Sequence, residues 1–236
     1  VVSIALSKYL SKFSRKKLKY SYRFIFIPET IGAIAYINKN LKKLKKNVIC
    51  GFNLSCVGDG RAYSIISSRL GNTLADKALA ASLKDKKKVK IYSFLERGSD
   101  ERQFCSPGVD LPFCGFSRSK YHEYPEYHTS DDNLNIISQK NLEESFDVLK
   151  NIIDVFEKDL HPKFRFICEP KMDKRNLYES LSKDRNYLNK SLRDRMDFLA
   201  YADGNHTFFD IVKKCNFNLS EGIFIYDLLK KNKLLI

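Results

Sequence analysis

A chain of 236 residues, 43% of them hydrophobic and 30% charged, holds enough apolar material for one sizeable core and a small second domain. Its formal charge of +14 raises the question of polyanion binding, and its most apolar stretch, "FIFIPETIGAIAYI", is broken by Pro28 and Glu29. That break excludes a spanning helix, which needs about 20 uninterrupted apolar residues.

In chain order, "VVSIALSKYL" places Ile4, Leu6, Tyr9 and Leu10 in a helix already under way, with no initiator Met, so the sequence reads as a fragment or processed piece. "YRFIFIP" (Tyr22–Pro28) predicts a buried strand, and "ETIGAIAYINKNLKKL" a helix or helical loop after Pro28. "NVICGFNLSCVG" predicts a second buried strand, Leu74 to Leu83 an alanine-rich helix, and "KVKIYSFLER" a third strand. A long loop region follows, holding "GSDERQFCSPG" and "EYPEYHTSDDN". In "NLEESFDVLKNIIDVFEKDL", Leu142, Phe146, Leu149, Ile152, Ile153 and Phe156 share one helical face. This alternation argues for an α/β layered sheet.

After "FICEP" the composition turns polar through "KMDKRNLYESLSKDRNYLNK". Three short amphipathic patterns then follow: "LRDRMDFLAYAD", "TFFDIVKKCN" and "SEGIFIYDLLKKNKLLI", the last introduced by Asn218 and Ser220. They predict a small helical winged-helix domain over 181–236, after an α/β domain over 1–180. The lysine runs "SRKKLKYSYR", "KNLKKLKK" and "KDKKKVK" fall where helices end and strands begin, where cations are solvated and complement the helix dipole. Generic polyanion attraction stays open. Cys50, Cys56, Cys105, Cys114, Cys168 and Cys215 show no CxxC spacing, and read as reduced, mostly buried thiols of a cytoplasmic protein.

Polar chemistry concentrates in "IPETIG", "GSDERQF" and "YPEYHTSDD", loops expected to converge beyond the carboxyl ends of strands. Their wording resembles the zinc aminopeptidases of the di-zinc exopeptidase superfamily. Those carry E-E-x-G, N-L-D-M-x-G, S-D-H-x-x-F and Y-H-T in that order; here stand "ETIG", "NLSCVG", "SDERQF" and "YHTSDD". "PETIGAIAYI", "CVGDGRAYS", "RGSDERQFCSPGVDLPF" and "CEPKMDKRNLY" are similar to a bacterial subgroup of unknown function, with a C-terminal winged helix and a link to polysaccharide biosynthesis. The resemblance covers nearly the whole chain. It implies a three-layer aminopeptidase-like fold and a hydrolase acting on an amide bond near a free amine.

By that resemblance, His128 matches a zinc-ligand histidine and Glu29 the general base. Thr30 and Ser55 stand where the family has carboxylate ligands. Asp59 is a candidate substitute, and Asp100 matches an aspartate behind the ligands. A histidine and a bridging aspartate are expected upstream of Val1. Because Thr30 and Ser55 replace two carboxylates, one zinc ion in the full-length protein is expected rather than two. Glu29, Asp100, Glu101 and Glu126 are candidates to attract the amine of a small or peptide-like substrate, with Tyr127 beside them. A non-catalytic binding or regulatory module is the alternative. Weak DNA binding through the winged helix is the third reading. Base-specific recognition is disfavoured because "SEGIFIY" opens the recognition helix with Glu221 and apolar residues. No membrane association is expected, and homo-oligomerisation is left open.

Overall fold

In the computed structural model, helix α1 (Val2–Ser11) buries Val2, Leu6 and Leu10 along one face. Ile4 lies two residues off that face and is exposed, unlike the expectation. Residues 1–13, 17–175, 177 and 190–236 are described, and they divide into two units, Val1–Ile153 and Asp154–Ile236.

The expected strand Tyr22–Pro28 does not join the sheet. Ile25 and Ile27 pack instead on helix α2 (Ile31–Asn47), against Ala33 and Ile37, while Phe26 between them points outward. The alternation written in "FIFI" is therefore real, but it serves a helix surface and not a backbone ladder. Gly32 makes this close approach possible: a Cβ there would come within 2.9 Å of Ile27 and Pro28 side-chain atoms.

The sheet has four strands in the order β1-β4-β2-β3. They are β1 (Gly51–Leu54), β2 (Tyr63–Ile66), β3 (Val89–Tyr92) and β4 (Phe113–Ser117). β1 pairs parallel with β4, β4 antiparallel with β2, and β2 parallel with β3. The two strands the sequence announces, β1 and β3, are the edges, half-buried and largely exposed respectively, with Ile91 66% exposed. The interior strands are "YSII" and "FCGFS", in which all residues but Phe113 are buried; neither is expected from pattern. Gly51 opens β1 because the Phe113 ring, stacked on Phe104 at 4.4 Å, fills its Cβ position.

Helix α3 (Leu74–Leu83) lies against β2 and β4, as sequence predicts for its span. It starts with a capping box of Thr73 and Asp76, whose carboxylate also binds Ser68. Short helix α4 (Glu101–Phe104) packs on β4 and α2. Helix α5 (Gln139–Lys158) ends the first unit; Ser82 Oγ bonds the Val148 carbonyl across to α3. The lysines of "KNLKKLKK" close α2, and those of "KDKKKVK" link α3 to β3, as read from sequence.

The second unit contains α6 (Lys190–Tyr201), α7 (Phe208–Lys214) and α8 (Leu219–Lys231). Its core gathers Phe198, Phe208, Phe209, Ile211, Leu229 and Leu234, all under 2% exposed. Asn218 caps α8 and accepts from the Glu221 amide, as its position predicts. The unit starts well before the expected boundary at 180/181, which lies outside the described residues. The reason is backbone pairing: Phe208 N bonds Leu160 O, Phe164 N bonds Ala202 O, and Arg165 N bonds Leu234 O. Bridges Lys163↔Asp203 and Phe164↔Leu235 add β-pairing to this helical winged-helix domain. All six thiols are free, and no described helix is long and apolar enough to cross a membrane.

Candidate functional site

Two adjacent carboxylates at the start of α4 bind the loop of Glu29, the strand β1 and the segment that follows β4. Glu101 is fully buried. Its Oε1 accepts from the amides of Gly98 and Ser99 and from the Tyr121 hydroxyl, and its Oε2 from Asn53 Nδ2 in β1. Burial alone would raise its pKa, but these donors together outweigh burial and hold it below the ordinary carboxylate value. Glu101 is thus filled by protein donors. It cannot receive a substrate amine, which corrects that expectation.

Asp100 reaches the other way. Its Oδ1 accepts from the Thr30 amide at 2.8 Å, joining "GSDERQF" to "IPETIG". Burial pushes its pKa up, against the Thr30 amide; the negative charges of Glu29 and Glu101 push it up further. Arg102 Nη2 donates to Thr30 Oγ1 at 2.7 Å. Thr30 itself has φ 63° and ψ −69°. Ile31 N closes a three-residue turn on Glu29 O at 2.7 Å, a γ-turn of the strained positive-φ kind. Such backbone costs on the order of 1–3 kcal/mol and persists only where surroundings hold it.

Glu29, exposed at this turn, lies within electrostatic reach of Asp100 and Tyr127. Tyr127 is held above the ordinary phenol pKa by burial first, then by Cys56, Glu29 and Asp132. His128 stacks on the Tyr127 ring at 4.0 Å, so Tyr127 connects the two residues matched to base and ligand. Sequence reading passes over His122, whose ring is 4.7 Å from Tyr127 and 6.2 Å from His128. Both histidines are exposed and hold positive φ, 64° and 58°. The signal was present: "YH" occurs at Tyr121-His122 and again at Tyr127-His128. Cys56, just past β1 with φ 48°, receives the Tyr124 hydroxyl at 3.5 Å, and Tyr124 also approaches Asp132 at 3.4 Å.

Two other expected residues have structural occupations. Asp59 is buried and accepts from Arg61 N, Ser119 N and Ser119 Oγ, each at 2.8 Å, bracing the turns after β1 and β4. It is therefore not free to replace a ligand, a correction to that expectation. Glu126 pairs with Arg61 at 2.6 Å, which supplies the cation an amine would have supplied. Among the described residues, no group of three or more His, Cys, Asp or Glu is placed to hold a metal ion. A catalytic zinc takes about three protein ligands, so these residues alone do not fit one.

Residues 1–159 match the family model described as Domain of unknown function (DUF4910). The chain belongs to this family. Residues 161–236 match a winged helix-turn-helix model. A Clostridium acetobutylicum protein, named for polysaccharide biosynthesis and an aminopeptidase-like domain, is 33% identical over 98% of this chain and 54% of its own length. The crystal structure of a protein named as a peptidase from the same organism superposes with TM-score 0.83 at 30% identity, over 100% of this chain and 52% of that one. An aminopeptidase from Aneurinibacillus sp. strain AM-1 gives TM-score 0.45 at 20% identity, over 64% of this chain and 36% of its own. The chain spans about half the length of the curated relative it matches. Its α/β fold is aminopeptidase-like, with a C-terminal winged-helix domain.

Proposed function

We propose that the loops beside β1 form the substrate-facing part of an aminopeptidase-like hydrolase site. Glu29 accepts a proton from the attacking water, and His128 lies across Tyr127 from it. The substrate class is a small or peptide-like molecule with a free amine, and the polysaccharide biosynthesis named for the relative is the proposed context. One observation carries this reading: Asp100 and Glu101 draw the loop of Glu29, the end of β1 and the loop after β4 to one place. Zinc is the metal this reading calls for. The described residues do not supply its ligands, so these would come from further polypeptide, for which the relatives' greater length leaves room. Free thiols fit a reducing, cytoplasmic setting.

For the second unit we propose no base-reading role: the outward face of α8 carries Glu221, Phe224 and Asp227 before the exposed Lys230 and Lys231 at its end, and Asp227 pairs with Lys158. Carboxylates there oppose phosphates.

The test is a chimera joining this chain to the part of the Clostridium acetobutylicum relative that it does not match. Chelator-sensitive hydrolysis of aminoacyl-p-nitroanilides is expected, reduced about 10²–10⁴-fold by Glu29→Gln. Turnover indifferent to Glu29→Gln overturns the assignment. A folded, zinc-loaded chimera without turnover supports the non-catalytic binding module instead.

A further inference from the structure

We propose that Asp100 and Arg102 are positioning residues: together they grip Thr30 in a γ-turn its own sequence disfavours, and so fix the aim of Glu29. That Glu29 takes a proton rests on the reading above, but the clamp does not.

Three other helix starts in this chain follow one pattern. Thr73 (φ −66°, ψ 169°), Thr207 (φ −72°, ψ 158°) and Asn218 (φ −81°, ψ 168°) are extended, and each closes a capping box. Thr30 holds the same position in α2 and departs from the pattern in every respect. Its φ is 63° and its side chain makes no capping bond. A β-branched residue is among the worst suited to positive φ, where glycine is at ease. Local preference therefore does not make this turn.

Asp100 is the second exception. It occupies the N-cap of α4 yet makes no side-chain capping bond there. Its carboxylate is spent 70 residues away, on the Thr30 amide. Two positions on, Arg102 takes the Thr30 hydroxyl. One residue is thus held by its backbone donor and its side-chain acceptor at once, from a single short helix. Threonine in place of glycine is intelligible on these terms: glycine would relax the backbone but give Arg102 nothing to hold. The turn ties the Glu29 carbonyl to Ile31 and leaves Glu29 exposed, outside α2.

The experiment is NMR on the isotope-labelled 236-residue chain and its variants, with no activity assay. In Asp100→Ala, amide exchange at Thr30 and Ile31 should rise at least tenfold. The Thr30 carbon shifts should move from positive-φ to ordinary values, and the Glu29 backbone and side-chain resonances should shift with them. Asp100→Asn keeps an acceptor oxygen and should retain the native shifts. Adding Thr30→Gly to Asp100→Ala should restore the turn, because glycine adopts it unaided. If Asp100→Ala alone does not fold, the double variant and Arg102→Ala carry the same comparison. Unmoved Thr30 and Glu29 shifts in Asp100→Ala, or in Arg102→Ala where that is read instead, overturn the clamp. Loss of the turn in Asp100→Asn does so equally. Because no turnover is read, failure here leaves the hydrolase reading to its own test.

Discussion

Glu101→Ala should destabilise the first unit by about 3 kcal/mol or more, because removing the carboxylate leaves several enclosed donors without an acceptor. The carboxylate is fully enclosed, and its loss strands the Tyr121 hydroxyl, the Asn53 amide and the backbone amides of Gly98 and Ser99. Each buried donor left without a partner costs about 1–3 kcal/mol, and the four are not additive. Glu101→Gln keeps the oxygen that serves three donors and opposes only Asn53, whose amide can turn to offer its oxygen; it should cost clearly less. Urea unfolding of the three chains at neutral pH gives the ranking. Equal losses in the Ala and Gln variants would contradict this account, because they would mean that the negative charge itself is needed and one acceptor oxygen does not suffice.

The pH dependence has a definite sign. Glu101 has a lowered pKa in the folded chain, so its contribution is complete above the unfolded carboxylate value, about 4.3. It is lost as pH falls through the folded value. Asp100 is shifted upward, chiefly by burial, so its effect runs oppositely: folding is helped below the unfolded value and the help is lost as pH rises through the folded one. Replacing Glu101 by Gln should therefore flatten the acid limb of the stability curve. Replacing Asp100 by Asn should steepen its net slope. Parallel changes in both variants would contradict the assignment.

The sequence carried the helices well and the sheet poorly, for physical reasons. Leu74–Leu83 is read to the residue because an alanine-rich run between a Thr-x-x-Asp box and a lysine cluster has few other uses. Strand reading favours runs of aromatic and β-branched residues, and one of these, "FIFI", packs on α2. The central strands are four and five residues long, with Ser64, Cys114 and Gly115 among their buried positions, so hydrophobicity alone could not find them. Motif order names Glu29, Asp100, Tyr127 and His128 together; Asp100 bonds the residue after Glu29, and Tyr127 stacks on His128. What motif order could not separate is a carboxylate facing solvent from one facing protein. Glu101 and Asp59 have the composition of site residues and the surroundings of braces. That difference is made by partners tens of residues away.

Phe208→Ala should be the most damaging single change in the second unit, costing about 3–5 kcal/mol. Phe208 is wholly buried, and its ring meets Phe198 at 5.7 Å, Tyr226 at 5.9 Å and Phe209 at 6.4 Å. These partners come from α6, α7 and α8, so one side chain joins all three helices. Its backbone amide also bonds Leu160 O, which ties the segment before the helices to the same point. Truncation would remove the ring from the junction, and the cavity could not close easily. On the helix facing it, Gly222 already lies so near that a Cβ there would come within 2.6 Å of Val212 and 3.3 Å of Phe208. Phe208→Leu retains most of the apolar volume and should lose clearly less. Hydrogen exchange at the α7 and α8 amides localises the effect: protection should fall there and persist in α3 and β4 of the first unit. A uniform loss across both units, or a loss under 1 kcal/mol, would show that the aromatic junction does not hold the winged helix together.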